Sequence, residues 1–172
     1  PILTPLAGVL MGTRCGDVDP SVVTYMEQKL GFHGQEMADY LNKQSGLLGI
    51  SGISSDKRDV TSAAEAGNER AKLACDMLNY QIKKYVGAYA AAMGGLDCIV
   101  FTGGIGENDG GVRAAVCEDM EFLGVKIDLE KNKQRGADII DISADDSRVK
   151  VLIVCTNEEL MIARDTKALV EG

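Results

Sequence analysis

The run Phe101-Thr102-Gly103-Gly104-Ile105-Gly106-Glu107-Asn108 joins a short apolar segment, Ile99 to Phe101, to an amphipathic helical pattern. A strand that turns tightly into a helix start gathers backbone N–H groups and the positive end of a helix dipole at one point. Glycines there let another molecule approach the backbone with no Cβ in the way. Three other segments offer complementary chemistry. Thr13-Arg14-Cys15-Gly16-Asp17-Val18-Asp19 sets an arginine in a glycine-bounded loop, a rigid fork for phosphate or carboxylate, or else a partner for Asp17 or Asp19. Ser54-Ser55-Asp56-Lys57-Arg58-Asp59 alternates charges, as a solvated loop or a ligand contact would. Asn157-Glu158-Glu159 follows an apolar run, where carboxylates could hold Mg²⁺ through water or simply offset a helix dipole.

Each motif alone falls short of a standard nucleotide signature. Gly104-x-Gly106 is followed by Asp109 where a dinucleotide fingerprint needs glycine, although Asp128 lies at a suitable distance for the acidic residue. A Gly-Lys-Ser/Thr triplet, as in a Walker A loop, is absent. The single histidine, His33, reads as an incidental surface residue and leaves no room for a zinc site or a Ser-His-Asp triad.

A chain of 172 residues can bury a core without staples, and 45% hydrophobic with 26% charged residues is ordinary for a soluble domain. The net charge of −8 argues against nucleic acid or an anionic membrane as partner. No apolar run reaches a bilayer's span, and no secretory signal pattern opens the chain. The five cysteines are odd in number and widely spaced, so they read as small buried hydrophobes in a reducing, cytoplasmic setting. The opening Pro1-Ile-Leu-Thr-Pro-Leu6 lacks a cap or strand pattern and reads as the interior of something longer.

The elements that must position these residues follow from local signals. Asp19-Pro20 starts a helix that Gly31 closes, and a second covers Gln35 to Gln44. Ser45 to Arg58 is too rich in glycine and serine for regular structure. A short helix over Thr61 to Ala66 precedes the longest one, capped by Asn68 and ended at Gly94-Gly95. The small side chains of Ala88 to Met93 suggest packing on several sides. Leu96 to Thr102 reads as a buried strand, followed by the glycine loop and a helix over Gly111 to Met120. Phe122 to Ile127 is a short strand or turn, and Lys131 to Ser147 a polar, weakly structured connection. Val149 to Cys155 is a strand covered on both faces, and a helix over Glu158 to Val170 is capped by Thr156 or Asn157, with Thr156-x-x-Glu159 matching a capping box. Strands alternating with helices predict an α/β fold with an incomplete mixed sheet.

Five strings taken together resemble the acetate kinases: Met11-Gly-Thr-Arg-Cys-Gly-Asp-Val-Asp-Pro20, Ser45-Gly-Leu-Leu-Gly-Ile-Ser-Gly52, Ala90-Ala-Ala-Met-Gly-Gly-Leu-Asp97, Phe101 to Asn108, and Thr156-Asn-Glu-Glu-Leu-Met-Ile-Ala-Arg-Asp-Thr166. The resemblance runs the length of the chain in the family's order, and it is to the carboxyl-terminal half only. It implies a ribonuclease-H-like lobe of the actin, Hsp70 and sugar-kinase type. Residues 1–157 would be a partial nucleotide-binding lobe, and 158–172 a helix that packs on an amino-terminal lobe. The family moves the γ-phosphoryl of ATP to acetate, giving acetyl phosphate and ADP.

The resemblance further implies a role for each matching residue. Arg14 would stabilise the transferring phosphoryl group. Asp56, Lys57 and Arg58 would lie beside the adenosine, and Gly104, Ile105, Gly106, Glu107 and Asn108 would cradle adenine and ribose. Glu158 would hold Mg²⁺, with Glu159 as its neighbouring alternative. The family's catalytic histidine matches nothing here, so the acetate pocket is expected outside this chain, which alone would be inactive. A homodimer is expected. Alternatives are a propionate or butyrate kinase of the same family, and a non-catalytic nucleotide-binding or dimerisation module.

Overall fold

Asp19 and Pro20 begin a helix because aspartate offers an oxygen to an orphan amide and proline has no amide to orphan. In the computed structural model, which describes residues 6–171, Asp19 Oδ1 accepts from Ser21 N at 2.8 Å and α1 runs Pro20–Leu30. Gly31, at φ +70°, closes it by donating to Glu27 O. Apart from Leu6, the opening Pro1–Leu6 lies outside the described residues. The chain divides into two units, Pro1–Ala88 and Tyr89–Gly172.

The first unit continues with α2 (Gln35–Lys43), α3 (Gly46–Ser51), α4 (Lys57–Glu65) and α5 (Glu69–Met93), whose last turn lies beyond the division. Asn68 caps α5 as expected, its Oδ1 accepting from Ala71 N at 2.9 Å. Leu10, Leu47, Val60, Ala71, Ala74 and Leu78 form the core, with Ile50 and Ile82 packed against it. Burying the larger of these side chains, Leu10, Leu47, Val60 and Leu78, stabilises by about 1.5–3 kcal/mol each.

The expectation of an irregular Ser45–Arg58 is overturned, since α3 and the start of α4 occupy it. Composition misled because the partners of α3 are distant in sequence. Leu47 N and Leu48 N donate to Met11 O and Gly12 O, at 2.8 and 2.9 Å. At the other end, Arg70 donates to Gly49 O and Ile50 O. The orphan groups of a short helix are thereby satisfied from outside it.

The second unit holds β1 (Cys98–Phe101), α6 (Gly103–Asn108), α7 (Gly110–Cys117), β2 (Ile139–Asp141), β3 (Lys150–Val154) and α8 (Glu158–Glu171). The sheet order is β1-β3-β2, with β1 parallel and β2 antiparallel to β3. The register sets Ile99 beside Val151, and Phe101 and Ile140 beside Ile153, and these five residues are the buried face. Val112, Val116, Met120, Val125, Ile142 and Val149 are buried in the same unit.

Several local expectations change. Gly103–Asn108 is a helix rather than a loop, entered through Gly103 at φ +70°. Gly106 packs closely on the end of β1, since a Cβ there would lie 3.2 Å from Phe101 C. The next helix ends at Cys117 rather than Met120, because Asp119 turns the chain at φ +54°. Leu96–Thr102 is covered on one face only, with Val100 51% exposed, and in Val149–Cys155 the second face, Leu152 and Val154, is half-buried. An apolar run shows that a face tolerates burial, and the neighbouring elements decide whether it is covered. The polar stretch 131–147 contains β2, which forms because β3 offers it a ladder and Lys150 pairs with Asp141 at 2.8 Å.

Asn157, not Thr156, caps α8, through Leu160 N at 3.0 Å. Of Ala88 to Met93 only Ala90 is buried. Alanines hold a helix by propensity and lose little by exposure. Among the described residues the five cysteines form no disulfide, and Cys98 and Cys155 are exposed rather than buried. Among the described residues no helix is long and apolar enough to cross a membrane.

Gly46 separates strain from collision. At φ +61°, a Cβ on it would lie 2.1 Å from Met11 O, whereas one on Gly31 at φ +70° would meet nothing within 4 Å. Gly31→Ala should cost about 1 kcal/mol of unfolding free energy and Gly46→Ala at least about 3. Urea midpoints check this, and equal losses would contradict it.

Candidate functional site

In the first unit the loop carrying Arg14 is fixed almost wholly by backbone hydrogen bonds. Met11 N donates to Arg14 O at 3.0 Å, Cys15 N to Leu41 O at 3.0 Å, and Ser45 N to Thr13 O at 2.9 Å. Thr13 Oγ1 donates to Asn42 O at 2.9 Å, and Leu10 N donates to Gln81 Oε1 on α5 at 2.6 Å. The two carboxylates that could pair with Arg14 are engaged elsewhere. Asp17 accepts from the Tyr85 hydroxyl and from Gly8 N, and these bonds, Tyr85 first, hold its carboxyl below the usual range. Asp19 caps α1. Among the described residues the Arg14 guanidinium meets only Met11 Sδ, at 3.9 Å. A half-buried guanidinium on a pinned loop, without a carboxylate, suits an incoming phosphoryl or carboxylate group.

Gly12 brings this loop against the Asp56 turn, since a Cβ on Gly12 would lie 2.7 Å from Ser55 O. Asp56 is the N-cap of α4, accepting from Arg58 N at 2.8 Å. Its other oxygen takes Arg58 Nη2 at 2.6 Å, and the Arg58 side chain draws the Asp56 carboxyl down to about 2. Lys57 Nζ donates to Thr61 Oγ1 at 2.6 Å. The exposed Asp56–Arg58 ion pair adds a modest contribution to stability. Its geometry presents a cap, an arginine and a lysine on one turn beside the Arg14 loop.

In the second unit α6 presents an open surface at Gly104, where a Cβ would meet nothing within 4 Å, and beside it Ile105 is exposed. The rest of α6 is tied down. Asn108 Nδ2 donates to Gly104 O at 3.0 Å, and Arg135 Nη2 to Asn108 O at 2.8 Å. Arg113 Nη1 donates to Gly106 O at 2.7 Å and Glu107 O at 3.0 Å. Its Nε and Nη2 go to Asn132 Oδ1 and O, at 2.7 and 2.8 Å. Arg113 is 0% exposed, and burial pushes its ionisation downward first. Cations at a helix carboxyl end complement its dipole.

Glu107 faces the other way. Its Oε1 accepts from Gly103 N, Thr156 N and Thr156 Oγ1, at 2.9, 2.8 and 2.9 Å. Those donors, Thr156 N first, lower its carboxyl from the ordinary glutamate value. Thr156 therefore serves Glu107 and not a capping box. Two residues on, Glu158 and Glu159 are exposed in the first turn of α8. Among the described residues no three His, Cys, Asp or Glu side chains gather as a metal cage. One or two exposed carboxylates fit Mg²⁺, which keeps several waters and takes substrate phosphates as ligands.

Sequence reasoning missed Arg113, Asn132, Arg135 and Tyr85. Arg113 had a signal, being the one charge in the otherwise apolar Gly110–Cys117 helix. The others have none, because their partners lie far along the chain: 19 residues from Asn132 to Arg113 and 22 to Gly110, 27 from Arg135 to Asn108 and 68 from Tyr85 to Asp17. His33 is exposed, as expected.

Comparison with known proteins gives a consistent result. A family model described as the acetokinase family matches residues 2–164. The chain is 58% identical over 167 residues to the acetate kinase of Phocaeicola vulgatus, covering 97% of this chain and 42% of that protein. It is 55% identical over 166 residues to the acetate kinase of Clostridium botulinum, covering 96% and 42%. The crystal structure of Porphyromonas gingivalis acetate kinase superposes with TM-score 0.91 at 51% identity, over 97% of this chain and 42% of that one. A propionate kinase structure from Francisella tularensis gives 0.85 at 42% identity, over 94% and 41%. The chain thus spans about two fifths of the length of the curated relatives it matches. The fold is the α/β, actin-like one, with a small mixed sheet of three strands flanked by helices.

The Asp56 turn sets a pH test. Its carboxyl ionises at about 2 in the fold against 3.8 ordinarily, so its contribution is full above pH 4 and lost as pH falls toward 2. Asp56→Asn keeps a good cap but removes the charge. The variant should lose less stability than the parent between pH 4 and 2, read from urea midpoints. Parallel curves would contradict the assignment.

Proposed function

This chain belongs to the acetokinase family, and from that premise we propose that it carries the nucleotide side of a reversible ATP:acetate phosphotransferase. The products would be acetyl phosphate and ADP. The observation that carries the reading is the Arg14 guanidinium, held on a pinned loop with no carboxylate partner among the described residues.

Phosphoryl transfer needs positioning and neutralisation of charge on the equatorial oxygens more than covalent chemistry. Arg14 offers a planar, always-charged fork for those oxygens. On the family resemblance, the Asp56–Arg58 turn of the first unit would serve the adenosine. In the second unit the open Gly104–Ile105 surface, with Gly106 and Asn108, would do so, with Glu107 supporting it through its bonds to Gly103 and Thr156. Glu158 would hold Mg²⁺ through one carboxylate and water, and the metal would supply charge neutralisation to the nucleotide phosphates. The Francisella propionate kinase likeness supports a second reading, in which a longer acid is the acceptor. A soluble, cytoplasmic homodimer is part of the proposal.

The chain's only histidine, His33, is exposed and matches no family catalytic position, and no acetate pocket is assigned to these residues. The purified 172-residue chain should therefore bind ADP but form no acetyl phosphate from ATP and acetate. Equilibrium binding of labelled ADP and hydroxamate trapping check both. Hydroxamate above the blank would overturn the division of labour, and absence of ADP binding would overturn the nucleotide site.

A further inference from the structure

Glu107 lies in the helix proposed to face the nucleotide, yet its carboxylate is taken up by the chain's own hydrogen-bond donors. Oε1 accepts from Gly103 N at the start of its own helix, and from Thr156 N and Thr156 Oγ1 at the end of β3. We propose that Glu107 is a positioning residue, a strut that sets the turn bearing Glu158 against α6, and not a contact to the nucleotide. This rests on the reading of Glu158 as the Mg²⁺ carboxylate.

The strut is anchored at both ends. Behind it, the buried Arg113 holds the carbonyls of Gly106 and Glu107, and Asn132 fixes Arg113 through two bonds. In front, Thr156 gives both its donors to one oxygen, so the chain two residues before Glu158 cannot move without breaking charge-assisted bonds. The carboxylate also sits on the Gly103 amide, where a phosphate drawn by the glycine-rich turn would otherwise bind. An anion is already in place there, which leaves the turn to uncharged parts of a ligand. Outer partners of a metal carboxylate are the groups that set its aim.

The test uses the whole 172-residue chain with Glu107→Ala and the milder Thr156→Val, which removes only the hydroxyl bond. Amide exchange gives a ligand-free readout. In Glu107→Ala the Gly103 and Thr156 amides should both lose about tenfold or more of their protection while those of Ile99 and Ile153 keep theirs. Unchanged protection at Thr156 overturns the strut, and loss across the sheet marks a folding defect that Thr156→Val then resolves. ADP binding with and without Mg²⁺ gives the second readout. Both variants should reduce the tightening by Mg²⁺ about tenfold, with Mg²⁺-free ADP affinity within about twofold of the parent. A fall in Mg²⁺-free affinity in Glu107→Ala, with Thr156→Val silent, would make Glu107 a ligand contact and overturn the proposal. A parent chain indifferent to Mg²⁺ overturns the Glu158 assignment instead, and the exchange data then decide the strut.

Discussion

A six-residue helix leaves most of its N–H and C=O groups without an internal partner, so it exists only where other parts of the chain supply them. Both glycine-rich segments of this protein are such helices, and much of the candidate site follows from how each is satisfied. For α3 the donors of its first turn go to Met11 O and Gly12 O, and Arg70 takes the carbonyls at its end. For α6 the carboxylate of Glu107 takes the first amide, and Arg113 and Arg135 take the last carbonyls. The same bonds that complete the helices hold the Arg14 loop and join the Glu158 turn to α6.

This has a consequence for which polar groups remain available to a ligand. Asp17 is committed to Gly8 N and Tyr85, Asp19 to α1, Asp56 to α4 and Arg58, and Glu107 to Thr156. Arg14 and Glu158 are outside that internal traffic, the Arg14 guanidinium meeting only Met11 Sδ among the described residues. A cation fork and an exposed carboxylate left over from a network that satisfies itself are what a phosphate ester and a hydrated Mg²⁺ require.

Much of this architecture was legible in the chain because it is local. The caps at Asp19 and Asn68 and the stop at Gly94-Gly95 depend on residues within one turn, and all stand as expected. What failed depends on partners far along the chain. The short helix α3 looks irregular until Met11, Gly12 and Arg70 are brought to it, and β2 looks like a connection until β3 is beside it. The apolar alternation of β1 marks both faces alike, and only the fold shows that Val100 stays open. The five family strings contain Arg14, Gly104 to Asn108 and Glu158, while Asp56, Lys57 and Arg58 lie outside them. Their wording does not show that Glu107 is bound by Thr156, because those hydrogen bonds run across 49 residues.

The account turns on Arg14 being reserved for the transferring phosphoryl group. The direct measurement is steady-state kinetics of Arg14→Ala in a family-length protein that carries this chain. The account predicts that kcat falls by about 10³-fold or more while KM for ATP stays within about threefold, since the arginine acts on the transition state and not on the bound nucleotide. A variant that keeps kcat within about tenfold, or that loses activity only through KM, would contradict it.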